Sequence, residues 1–160
     1  RIVAIPMVTA SRGTCSSPKK SAAASRRAIT SSCTSPVRLS APEPGTFGFY
    51  RVLEWLAYVN SEVHKNLSPL FRPTTTDEAK AAQRELVLKR YEFIENSLGN
   101  KHYLTGENFT VADAYLYVTL SWLERVQVNI AHLPKLTAYY ERCRARPSVQ
   151  RARKEEGLAP

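Results

Sequence analysis

The sequence predicts an all-α fold, a bundle of about five helices within residues 43–160. Three observations support this prediction. Apolar residues recur at spacings of three and four in successive segments after residue 46. Residues that commonly begin or end helices, mainly Thr, Pro and Gly, separate these segments. No stretch shows the alternation of apolar and polar residues that a half-buried strand requires, so we predict no strand.

The first predicted helix runs from about Phe47 to Leu67, with Thr46 as its N-cap. We expect Pro69 to end it, because proline cannot continue the hydrogen-bond ladder of a helix. The predicted inward stripe is Leu53, Leu56, Val59 or Asn60, and Val63.

The second predicted helix opens at Thr76 and runs to Leu98, where Gly99 closes it. Its predicted inward stripe is Ala79, Ala82, Leu86, Tyr91 or Arg90, Phe93, Ile94 and Leu98. The short connection between the first two helices makes them antiparallel neighbours.

The third predicted helix is the most apolar part of the chain. Between Val111 and Leu123 the only charged residue is Asp113, so protein should surround this helix on nearly every side. Thr110 and Asp113 match an acidic variant of the capping box, in which each side chain accepts from the other residue's backbone N–H. We therefore expect Thr110 and Asp113 to form a buried structural cap on the hub of the bundle.

Two shorter helices complete the predicted bundle. One runs from Pro134 to Arg146, because proline fits the first turn of a helix. Its expected inward residues are Leu136, Tyr139, Tyr140 and Cys143. The last runs from Val149 to Glu156, before Gly157. We expect the arginines of this region to form a solvated face.

The net charge of +9 is unevenly distributed. Residues 1–42 contain seven Lys or Arg and no acidic residue, whereas residues 43–160 contain sixteen basic and fourteen acidic residues, a net of +2. The predicted bundle is thus nearly neutral, and we expect no nucleic-acid partner for it. The three cysteines are too scattered for a disulfide framework or a metal site, and no apolar run is long enough to span a membrane.

The motif from Gly106 to Asp113, Gly-x-x-Phe-Thr-Val-Ala-Asp, resembles the buried helix start in the C-terminal domain of cytosolic glutathione transferases. The Leu-Glu-Trp-Leu run at residues 53–56 and the Ser-Glu-Val-His-Lys run at residues 61–65 resemble the bacterial beta class in particular. The resemblance covers roughly residues 44–158. It implies a cytoplasmic homodimer that uses glutathione as co-substrate, without a tightly bound cofactor, and transfers its thiol to small apolar electrophiles.

The resemblance also implies site residues. Its glutathione-facing turn corresponds to Ser61, Glu62, Val63 and His64, with His64 as the candidate catalytic residue. Its apolar acceptor pocket corresponds to Leu67, Phe71 and Trp122. From the sequence alone, a surface histidine is the favoured interpretation of His64, and the resemblance reverses that preference. The three apolar residues are also compatible with core packing.

Residues 1–42 contain nine serines and no helical or strand period after Val8, so we predict a disordered basic segment. It could be a tail, a transit peptide, or a product of a shifted reading frame or misjoined gene. We favour the last, because the family places a thioredoxin-like domain here. Cys15 lies in a Gly-x-Cys-Ser match to the family's active-site turn. The surrounding sequence favours an exposed thiol instead.

The sequence thus supports a glutathione transferase, in a complete or a truncated, inactive form, as the leading hypothesis. The alternative is a non-catalytic helical interaction module of the same domain type. A third hypothesis, nucleic-acid binding by the basic segment, requires an affinity that falls steeply with salt.

Overall fold

The computed structural model describes residues 41–158, and every structural statement below concerns this range. Within it the chain is all-α, with five helices and no strand, as predicted. An isolated bridge joins Tyr103 and Gly106 across a tight turn. The prediction for the basic segment concerns residues 1–42, of which residues 1–40, including Cys15, lie outside the described range.

The first helix, α1, has an unexpected internal structure. It is α-helical over Phe47–Tyr58, a π-helix over Val59–His64 and α-helical again over Lys65–Leu67, and it ends as a 3₁₀ helix over Ser68–Phe71. The Thr46 hydroxyl caps it by accepting from the backbone N–H of Phe49 at 3.2 Å. The α-helical part ends at Leu67, as predicted, and Pro69 lies in the first turn of the 3₁₀ segment that follows, where no backbone donor is needed.

The buried face of α1 consists of Val52, Trp55, Val59, Val63 and Leu67. Leu53, which we predicted to face inward, is 44% exposed. The prediction is wrong for Leu53 because Val52 and Trp55 occupy the inward face of this part of α1.

The second helix, α2, spans Asp77–Leu98 and begins at Thr76, as predicted. Gly99 follows with a φ of 55°. The residues of α2 that reach the core are Val87, Tyr91, Ile94 and Leu98. Ala79 and Ala82 are exposed, contrary to the prediction, because the first two turns of α2 contribute no buried residue. Phe93 is also exposed, contrary to the prediction. The Phe93 ring instead packs on the surface against Tyr58 and Trp55, with centroid distances of 4.9 and 6.4 Å.

The third helix, α3, spans Val111–Leu120 and is the hub that the sequence predicted. None of its residues is exposed, and it packs against both α1 and the fourth helix. It ends earlier than its apolar sequence suggested. The chain then continues in turns as far as Gln127, which has a φ of 58°.

The predicted cap of α3 is present and is fully buried. One carboxylate oxygen of Asp113, Oδ2, accepts from the backbone N–H and from the hydroxyl of Thr110, both at 2.7 Å. The other, Oδ1, accepts from the backbone N–H of Leu104 and from the Tyr139 hydroxyl, both at 2.9 Å. Asp113 therefore ties a preceding loop and a later helix to the start of α3.

The fourth and fifth helices, α4 and α5, span Pro134–Arg144 and Pro147–Glu155. Each boundary is within two residues of the prediction. Three of the inward residues of α4 are buried as predicted, and Tyr140 is half-buried. In residues 41–158 no helix is long and apolar enough to cross a membrane.

Two arginines near the end of α4 contact the loop before α3, in addition to the solvated face that we predicted for this region. Arg142 donates to the carbonyl of His102 at 2.7 Å. Arg146 stacks over the Phe109 ring, 4.1 Å from its centroid, and donates to the Tyr103 hydroxyl at 3.0 Å. These contacts attach the end of α4 to the loop that precedes α3.

Candidate functional site

The four residues predicted to face glutathione all lie in the π-helical part of α1, Val59–His64. A π-helix closes each turn with an i→i+5 hydrogen bond, here from the Lys65 N–H to the Asn60 carbonyl. Such wide single turns occur often at functional sites, because they redirect side chains without ending the helix. The structure therefore distinguishes this turn from the rest of α1 without reference to any relative.

His64 lies at the end of the π-helix and is half-buried. Its ring stands edge-to-face against Trp122, with centroids 5.1 Å apart. The Trp122 ring makes a similar contact with Phe71, at 5.9 Å. The candidate catalytic residue and two residues of the candidate acceptor pocket thus form one aromatic surface. His64 comes from the π-helix, Phe71 from the 3₁₀ end of α1, and Trp122 from the turn after α3.

Tyr115 is the site residue that the sequence analysis did not predict. Its hydroxyl lies 2.6 Å from Nδ1 of His64 and donates to Oδ1 of Asn60 at 3.1 Å. Desolvation by burial raises the pKa of Tyr115. A tyrosine on a buried helix needs a partner for its hydroxyl, but nothing in the sequence identified His64 as that partner.

Ser61 and Glu62 keep accessible polar atoms beside His64. The exposed Ser61 hydroxyl donates to the carbonyl of Ala57 at 2.9 Å, which leaves its oxygen able to accept. The Glu62 carboxylate lies 3.0 Å from Nε of Arg90, and both side chains are more than one third exposed. Both groups can therefore interact with a charged or polar ligand at this turn.

Val63 and Leu67 occupy a different environment. Both side chains are fully buried in the core. The accessible apolar surface at the site is therefore formed by Phe71 and Trp122, and Leu67 belongs to the core instead of lining the accessible surface. No group of three His, Cys, Asp or Glu residues within residues 41–158 is placed to hold a metal ion.

A wide concavity of about 770 Å³ lies elsewhere, between the start of α1 and the loop before α3. Its lining includes Phe47, Arg51, Tyr103, Phe109 and Arg146. Volume alone would favour this groove as a binding site. We favour the His64 surface, because the imidazole there lies against the Trp122 ring, which contacts Phe71, and because the polar residues Ser61 and Glu62 belong to the same turn.

The family model of the glutathione S-transferase C-terminal domain matches residues 55–147. This chain belongs to the glutathione S-transferase family. Glutathione S-transferase GstA of Escherichia coli O157:H7 is 39% identical over 109 residues, which are 68% of this chain and 54% of that protein.

Solved structures agree with this assignment. A sphingomonad glutathione S-transferase complexed with glutathione is 43% identical to this transferase-family chain, with a TM-score of 0.70. A bacterial beta class enzyme of Sphingomonas chungbukensis is 40% identical, also with a TM-score of 0.70. In both cases the match covers 74% of this chain and 59% of the other. The chain spans about half the length of the curated relatives that it matches.

Proposed function

We propose that this chain acts in glutathione conjugation, and that the turn at residues 61–64 binds glutathione beside an apolar acceptor surface. The observation that supports this most directly is the meeting of His64, Trp122 and Phe71 on one accessible surface. Membership in the transferase family supports the same function.

In the proposed reaction the S–H bond of glutathione breaks and its proton passes to a neighbouring base. The thiolate then attacks an electrophilic carbon, a C–S bond forms, and the leaving group departs with the bonding electrons. Phe71 and Trp122 hold the apolar acceptor close to the sulfur, which increases the rate through proximity. Ser61 and Glu62 bind the peptide part of glutathione. We place this reaction in a cytoplasmic homodimer, with glutathione as co-substrate.

The experiment uses the full chain, with NMR signals of the His64 ring and the Trp122 indole followed during titration with glutathione. Conjugation of an aryl halide is measured in parallel. We expect glutathione to shift both signals, and His64→Gln to weaken binding about tenfold or more, as expected for the loss of one hydrogen bond to a charged group. His102→Gln is the matched control, because His102 is exposed and pairs with Glu107 away from this surface.

The absence of any shift at millimolar glutathione, or an equal effect of the two histidine variants, would contradict the proposal. If glutathione binds but no conjugation is measured, the proposed glutathione site stands and catalysis by this chain alone is rejected.

A second candidate function, a helical interaction module, is supported by a different surface. Phe47, Tyr50 and Leu53 follow one another at spacings of three along α1 and are 81%, 59% and 44% exposed. Apolar residues exposed together often mark a protein interface. Light scattering distinguishes the two candidates: a stable dimer that Phe47→Ser disrupts, without any response to glutathione, would favour the interaction module.

A further inference from the structure

We infer that Tyr115 is a positioning residue that, together with Asn60, fixes the His64 ring as the Nδ1–H tautomer and leaves Nε2 as the acceptor for the glutathione thiol. The role of Nε2 toward the thiol rests on the proposed function. The assignment of the His64 tautomer does not depend on it.

The direction of the hydrogen bonds follows from what each group can donate. Asn60 presents its carbonyl oxygen Oδ1 to the Tyr115 hydroxyl at 3.1 Å, and a carbonyl oxygen can only accept. The single hydroxyl proton of Tyr115 is therefore used toward Asn60. The Tyr115 oxygen must then accept at its other contact, 2.6 Å from Nδ1 of His64, so that Nδ1 holds the proton.

The Tyr115 hydroxyl is protonated at neutral pH, since an ordinary tyrosine ionises only near pH 10 and desolvation raises the pKa of Tyr115 further. It can therefore donate to Asn60. Asn60 and His64 lie one turn apart in the π-helix, and Tyr115 reaches both from the hub helix α3. The imidazole is thus held between two packed helices instead of rotating freely.

The second ring nitrogen is free for a ligand. Nε2 of His64 has no hydrogen-bond partner among residues 41–158, and it is not one of the fully buried polar atoms without a partner. In a neutral ring with the proton on Nδ1, Nε2 carries a lone pair. It can accept the S–H of a bound thiol and take its proton, after which the imidazolium donates an N–H to the thiolate.

The test is a long-range ¹H–¹⁵N NMR experiment on the ligand-free full chain, with ¹⁵N in the histidine rings, at a pH where His64 is neutral. We expect a protonated Nδ1 and an unprotonated Nε2. In Tyr115→Phe the acceptor for Nδ1–H is gone, and we expect the ring to shift toward the Nε2–H tautomer that free histidine favours. A wild-type ring in the Nε2–H form, or an unchanged ring in Tyr115→Phe, would overturn the inference.

Two further variants separate positioning from a general loss of structure. Tyr117→Phe removes a hydroxyl from the same helix that contacts Arg153, and it should leave the His64 tautomer unchanged. Asn60→Asp replaces the amide by a carboxylate that only accepts, so the Nδ1–H form should persist. A change of tautomer in Asn60→Asp would show that Asn60 donates to Tyr115, which reverses the proposed direction.

The thiol part is tested separately by titrating the labelled chain with glutathione and with S-methylglutathione. We expect the Nε2 signal to respond to glutathione alone, and the response to be lost in Tyr115→Phe. If both ligands act equally, glutathione binds but its thiol does not meet Nε2. If neither acts while the tautomer is as expected, the proposed glutathione site fails and the thiol role fails with it.

Discussion

Replacing Asp113 by alanine is the most direct test of how this bundle is held together. The carboxylate is fully buried and accepts four hydrogen bonds of 2.7 to 2.9 Å. Its donors are the backbone N–H groups of Leu104 and Thr110 and the hydroxyls of Thr110 and Tyr139. In Asp113→Ala the groups of Leu104 and Thr110 lose their acceptor in a place that water does not reach. The Tyr139 hydroxyl keeps only a 3.4 Å contact with the backbone carbonyl of residue 113.

The expected loss follows from the number of donors left unpaired. Each buried donor without a partner costs about 1–3 kcal/mol. Even if only the two backbone groups and the Thr110 hydroxyl contribute, at the lower limit, the free energy of unfolding falls by about 3 kcal/mol. For a domain of this size that corresponds to a decrease in Tm of about 10 °C or more. Since small domains have a total stability of about 5–15 kcal/mol, this is a large fraction of it.

The assay is urea and thermal unfolding of the full chain, followed by circular dichroism at 222 nm. Asp77→Ala is the matched control, because Asp77 is an exposed aspartate in the first turn of α2. Its loss removes a favourable interaction with the helix dipole worth about 0.3–1 kcal/mol. If the two variants lower the unfolding midpoint equally, the buried network contributes nothing beyond an ordinary helix-start charge, and the reasoning is refuted.

Two other predictions concern the last helices and the core. Arg146→Ala removes the stacking on Phe109 and the hydrogen bond to Tyr103, so we expect a loss of about 1–2 kcal/mol in urea unfolding, against less than about 0.5 kcal/mol for the exposed Arg151→Ala. Desolvation raises the pKa of the Cys143 thiol from 9.0 to about 12, so the unfolded thiol ionises first as the pH rises. The associated stability is complete below about pH 9 and falls above it by up to about 1.4 kcal/mol per pH unit. Urea midpoints measured from pH 7 to 11 check this, and Cys143→Ala should flatten the first part of the decline.

The sequence identified the helix starts well, because capping is local chemistry. Thr46, Thr76 and Thr110 each precede a helix at the expected residue, since a threonine oxygen can satisfy an otherwise unpaired backbone donor nearby. The sequence predicted the end of α3 less well than its start. No Gly or Pro follows Leu120 before Pro134, so no residue that commonly ends a helix marks the change from helix to turn.

The sequence did not predict which side chains far apart along the chain come into contact. Tyr115 and His64 are 51 positions apart, and their meeting depends on how α3 packs against the second half of α1. The family resemblance pointed to His64 because that residue lies within a short motif. It did not point to Tyr115, whose role follows from packing and from the partner at Asn60.

The spacing of the buried residues in the sequence of α1 accounts for its π-helix. The buried residues Trp55, Val59, Val63 and Leu67 are separated by three consecutive steps of four. In a regular α-helix each such step overshoots a full turn by about 40°, so the stripe would rotate by about 120° over this length and leave the core. Wider turns with i→i+5 hydrogen bonds absorb that drift and keep all four residues inward. The same adjustment sets the direction of His64, so the packing of the α1 stripe and the position of the imidazole have one physical cause.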